Sequence, residues 1–145
     1  MLTIWTIGYE RLLPDALVAE LQAAGIERVI DVRFRPQSRR PGMSKTRLGQ
    51  LLADHGIAYE HRRALGTPAD LRFLFHSGRV AEGAAAFRVH LEATAADELD
   101  ALAAELEHAP PTALLCLEAD PATCHRRVVT DALQARRRDL RVVDL

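Results

Sequence analysis

The chain has 145 residues, a formal net charge of −1, 48% apolar residues and 27% charged ones, a balance that fits one soluble globular domain with a real core. No apolar run approaches the ~20 residues that cross a bilayer. The N-terminus has neither a basic region nor a small-residue cleavage site, so a cytoplasmic protein with no membrane partner is expected. Cys116 and Cys124 are the only cysteines; they make no disulfide framework, and a bridge between them is not expected in the cytosol.

In chain order, "LTIWTIGY" reads as a strand broken at Gly8. "LPDALVAELQAAG" follows with helical apolar spacing at Leu13, Leu17, Val18 and Leu21 and a glycine stop. "ERVIDVR" is a short strand buried on both faces, and "FRPQSRRPG" is a loop by its prolines and glycine. Ser44 is placed to cap the helix "KTRLGQLLADHG", and "IAYEHR" is a third strand. Residues 68 to 108 read as helices, with Thr94 capping a second piece of the long run from Ala84. "TALLCLE" is the next strand. Asp120 as N-cap and Pro121 at the first helical position start a helix to about Arg138, and "LRVVDL" closes the chain as a last strand. Strands alternating with helices predict a single α/β domain, a mainly parallel sheet with helices on both faces.

Such sheets bind ligands beyond the carboxyl ends of their strands. Tyr9, Asp31, Arg33, Arg35, Glu118, Cys124 and His125 fall at or just after those ends. The charge is also unevenly spread. Six cations and no acid lie between Val32 and Ala53, whereas no Lys or Arg lies between Val89 and Cys124. Of the nineteen cations eighteen are arginine, the side chain suited to bidentate contact with phosphate or carboxylate. Arg33, Arg35, Ser38, Arg126 and Tyr9 are therefore the expected anion-binding residues.

Cys124, in the first turn of a helix begun at Asp120, would sit near the positive end of the helix dipole, beside His125 and Arg126. It is a candidate nucleophile or redox thiol, expected to react before Cys116, which lies inside an apolar strand and reads as core. His125, Glu118 and Asp31 are candidate acid/base or orienting groups. Cys116, Cys124 and His125 could supply three metal ligands, with His55 or His61 a fourth. No CxxC or HxxxH spacing supports this, and an adjacent Cys-His pair chelates poorly from one helical turn, so no metal is expected.

"VIDVRFRP" is similar to the start of a rhodanese domain, but "HRRVVTD" after Cys124 forms no anion cradle of that kind. Together, "TIGY", "DVRFRPQSRRPGMSK", "IAYEHRRALGTP" and "LLCLEADPATCHR" resemble the family called domain of unknown function 488, over nearly the whole chain. The resemblance implies a single α/β domain found mainly in prokaryotes, with no established reaction, and leaves any cofactor open. Thr67 and Asp144 depart from it, standing where many relatives have a glycine and a histidine. Three functions are open. The first is an enzyme acting on an anionic small molecule or nucleotide through Cys124, His125 and Glu118. The second is a nucleic-acid-binding module using the basic loop, against which stand the near-neutral charge and only seven aromatics. The third is a structural or partner-binding domain.

Overall fold

The computed structural model describes residues 2–145. Five strands, β1 (Leu2–Gly8), β2 (Arg28–Asp31), β3 (Ala58–His61), β4 (Thr112–Cys116) and β5 (Leu140–Asp144), form one sheet in the order β3-β2-β4-β1-β5. Every pairing is parallel. All residues of β2 and β4 are buried, as expected of central strands covered on both faces. Side chains alternate between faces along β4. Ala113 and Leu115 pack with Leu17 and Leu21 of helix α1 (Pro14–Ala23) and Leu48 and Leu52 of α2 (Lys45–Asp54). Leu114 and Cys116 pack on the other side with α3 (Ala69–His76), α4 (Val80–Thr94), α5 (Ala96–Glu105) and α6 (Arg126–Arg136). The result is a single three-layer α/β domain. Among the described residues no helix is long and apolar enough to cross a membrane.

Three boundaries differ from the sequence reading. α4 begins at Val80 rather than Ala84. Thr94 does not cap α5: its Oγ1 donates back to the His90 carbonyl, and the chain breaks at Ala95 instead. Asp120 does cap a turn, accepting from the Ala122 amide, but the turn is a short 3-10 segment, Pro121–Thr123. Cys124 is then extended (φ −111°, ψ 144°), and α6 starts only at Arg126. Cys124 thus lies before the helix and not in its first turn.

The topology explains where a site forms. β4 lies between β1 and β2. The chain leaves β1 and β2 toward the α1–α2 layer but leaves β4 toward α6, so neighbouring strands part to opposite faces at their carboxyl ends. That divergence opens a crevice. Register brings Gly8 opposite Cys116, and Asp31 between Leu115 and His61, so Asp31, Glu118 and Cys124 gather at one edge of the sheet.

Candidate functional site

One side of the crevice is held by a buried polar framework. Asp31 is fully buried and its carboxylate accepts from the Arg33 backbone amide, from Arg33 Nε and Nη2 (2.7 Å to Nη2) and from the Tyr59 hydroxyl. Arg33 Nη1 donates to the Tyr9 hydroxyl (3.1 Å) and to the Met43 carbonyl (2.7 Å). Burial opposes the Arg33 charge, but the bonds and charge of Asp31 outweigh it and hold the guanidinium above its ordinary value. The carboxylate of Asp31 is therefore engaged by Arg33 and Tyr59, and it positions Arg33 rather than facing the pocket. Ser38 ties the basic loop together: its amide donates to Ser44 Oγ and its Oγ accepts from the Arg40 amide. Arg40 in turn bonds the Tyr9 and Glu10 carbonyls, fastening the loop to the end of β1.

The other side is a cluster that sequence spacing alone does not reveal. Cys116 and Cys124 meet as a disulfide pair, with Cα atoms 7.6 Å apart. Cys116 is buried in the core as expected, but its contact with Cys124 corrects the expectation of two independent thiols. Strand parity turns Cys116 toward α6, and the extended backbone at Cys124 brings the second sulfur back to it. Around them stand His125, with Nδ1 3.8 Å from Cys124 Sγ, and Glu118, with Oε2 3.7 Å from Cys116 Sγ. One ligand atom from each of these four residues lies within 4.8 Å of the others. The group beside the sulfurs is thus Glu118, and neither His55 nor His61; His61 Nε2 bonds the Arg33 carbonyl instead.

His125 Nε2 donates to the Val32 carbonyl at 2.9 Å, which leaves Nδ1 as the bare nitrogen facing the sulfurs. Burial pushes the imidazole below its ordinary value, so it is neutral near pH 7. Its ring meets Phe87 of α4 edge-on at 5.7 Å. Arg126 is fully buried and reaches Thr6 Oγ1 (3.1 Å), Cys116 Sγ (3.0 Å) and the Glu118 and Ala119 carbonyls. It makes no ion pair within 4 Å among the described residues; Asp144 acts on it through Thr6. Desolvation pulls its pKa below the ordinary arginine value. Arg126 therefore braces the turn after β4 and places positive charge on Cys116, not on Cys124.

Between the two sides lies a pocket of about 280 Å³. Of the expected residues, Tyr9, Arg33, Arg35, Glu118 and His125 line it; Asp31, Ser38, Cys124 and Arg126 do not. The sequence reading missed Thr67, Arg72 and His76, which also line it. Thr67 is 2% exposed, and its Oγ1 has no hydrogen-bond partner among the described residues. Arg35 and Arg72 form no ion pair among those residues, and His76 Nε2 lies 3.7 Å from Glu118 Oε1. Thr67 had a sequence signal, as a departure within "LGTP". Arg72 and His76 had none, because only the path of the chain between β3 and α4 turns α3 toward the sheet edge.

The family model described as "Domain of unknown function DUF488" matches residues 14–133, a span that holds β2, β3, β4, the basic loop and the Cys-His-Arg turn but not Tyr9 or β5. Comparison with curated proteins and with solved structures gave no match. On this match over most of its length, the chain belongs to the DUF488 family of domains of unknown function.

Proposed function

We propose that this protein is an enzyme acting on a small anionic molecule, of the phosphate, carboxylate or nucleotide class, held in the pocket at the carboxyl edge of the sheet. One observation carries the reading. A single concave site combines two cations without carboxylate partners, Arg35 and Arg72, with an unpartnered buried hydroxyl, Thr67, beside a neutral imidazole and a carboxylate, His125 and Glu118. The arginines and Thr67 bind the anion. Arg33 and Tyr9 line the pocket, Asp31 holding Arg33 and Arg33 bonding the Tyr9 hydroxyl. His125 and Glu118, backed by the two sulfurs, are the groups that act on the bound molecule.

The test is calorimetric titration with inorganic phosphate and nucleoside mono- and diphosphates, on the wild type and on Arg35→Ala/Arg72→Ala. Hydrogen bonds to charged groups contribute about 1.5–3 kcal/mol each, so the double variant should bind at least about a hundredfold more weakly. Equal binding by the two proteins, or no anion binding by either, would overturn the reading. A second reading, a nucleic-acid-binding module, is favoured by the open groove next to the pocket. Arg35, Lys45 and Arg63 line that groove, and Arg63 stacks on Phe34 at 4.1 Å.

A further inference from the structure

We propose that the reduced Cys116–Glu118–Cys124–His125 cluster is a binding site for a divalent metal ion of the zinc class. Zinc takes thiolate, imidazole and carboxylate ligands at about 2.0–2.3 Å, and a tetrahedron of that size has edges of about 3.3–3.8 Å. The Cys124 Sγ–His125 Nδ1 and Cys116 Sγ–Glu118 Oε2 separations, 3.8 and 3.7 Å, match such edges, and all four donor atoms fall within 4.8 Å. The backbone agrees. The cysteine Cα atoms are 7.6 Å apart, wider than the usual disulfide span of about 4.4–6.8 Å, so the paired sulfurs are drawn closer together than an ion between them would require. An ion between the sulfurs needs no such approach.

The surroundings are those of a ligand set. His125 donates Nε2–H to the Val32 carbonyl, the outer contact that fixes a metal-binding histidine and leaves Nδ1 free to coordinate. The adjacent Cys and His converge because Cys124 is extended and the chain turns into helical conformation at His125; the two do not share a helical turn. Arg126 donates to Cys116 Sγ. Two thiolates and the Glu118 carboxylate are then balanced by the metal's two charges and that of Arg126, so the buried assembly is neutral. Glu118 and His125 are the two ligands that also line the pocket, and the Glu118 side chain is 22% exposed there. Displacement of Glu118 by an incoming anion would open a coordination position toward the proposed substrate. Metal binding itself does not depend on which anion the pocket takes.

Reduction by a phosphine converts the disulfide and one water to two thiols and the phosphine oxide. Each thiol then releases its proton as its sulfur bonds to the metal. The experiment titrates phosphine-reduced, metal-free protein with cobalt(II), then displaces the cobalt with zinc(II). Expected are sulfur-to-cobalt charge-transfer absorption, its loss on adding zinc, and release of two protons per metal in weakly buffered solution. Cys124→Ser should weaken that absorption, and Glu118→Gln should lower affinity on the order of 10–100-fold. Absence of charge-transfer absorption with excess cobalt overturns the proposal, as does proton release near zero or a spectrum unchanged in folded Cys124→Ser. If the cysteine variants do not fold, the proton count on the wild type still decides. Anion binding is measured on the metal-free protein, so failure here and failure of the anion reading are separable.

Discussion

Tyr59 shows how one buried carboxylate sets the chemistry around it. Its hydroxyl donates to Asp31, and burial first, then that bond and the Asp31 charge, push the phenol well above its ordinary value, with Arg33 opposing. A group whose pKa is raised on folding contributes stability that is fully present below the unfolded value, about 10 for tyrosine, and is lost as pH rises through the folded value. In an ultraviolet titration of the native protein, Tyr59 should stay neutral beyond the pH at which a free phenol ionises. Tyr59→Phe should remove that late component and flatten the alkaline fall in stability. Ionisation of Tyr59 near pH 10 in the folded state, about the value of a free tyrosine, would mean that the Asp31 contact is absent. The same framework shows why a residue type alone does not assign a role. Asp31 and Arg33 were visible as charged groups at a strand end, but whether they face a ligand or each other depends on Tyr9, Met43 and Tyr59, which come from distant segments.

At the scale of elements, the turn after β4 is built by packing against β1. A Cβ on Gly8 would overlap the Glu118 carbonyl and come within 2.9 Å of Arg126 Nη1. Since the obstacle is backbone, Gly8→Ala should cost about 1–3 kcal/mol or more. It should also disturb the pocket wall through Glu118. Urea denaturation checks the first effect, and anion titration of the folded fraction the second. Stability within about 0.5 kcal/mol of wild type would show that the turn moves aside freely. This packing also explains the displaced start of α6. Asp120 and Pro121 are real helix-start signals and do form a turn, but Arg126 reaches under it to Thr6 and two carbonyls, and the second sulfur must return to Cys116. An extended residue at Cys124 meets both demands, where a continuous helix from Asp120 would not.

Across the whole molecule, the near-zero net charge conceals a basic loop at the carboxyl edge of the sheet. Several of its cations have internal duties. Arg33 is buried against Asp31, and Arg40 bonds the end of β1; of the other four, only Arg35 and Lys45 line the open groove, joined there by Arg63 from beyond β3. A nucleic-acid interface built from the full set of six would lose affinity steeply with salt, by about 0.9 log units per log unit of salt for each phosphate neutralised on duplex DNA. With the cations so divided, binding to a duplex or single strand should be weak and its salt slope shallow. Fluorescence anisotropy across a salt series checks this, and a slope steeper than about −4, on the same scale, would favour the nucleic-acid reading over the small-anion one.

The sequence by itself determined the order and kind of nearly every element, because helical and strand periodicities and the Gly, Pro and Asp stops are local signals. Alternation of those elements was enough for the parallel α/β architecture, and with it the edge at which Asp31, Glu118 and Cys124 gather. The tertiary structure alone decided what they do there. Strand parity aimed Cys116 at Cys124, the strand order placed β4 between diverging neighbours, and α3 carried Arg72 and His76 to the pocket. Each of these rests on contacts between segments far apart in the chain, whose partners no local pattern records. The hydrogen bond from His125 to Val32, across 93 positions, is the clearest case, since it fixes which imidazole nitrogen faces the sulfurs.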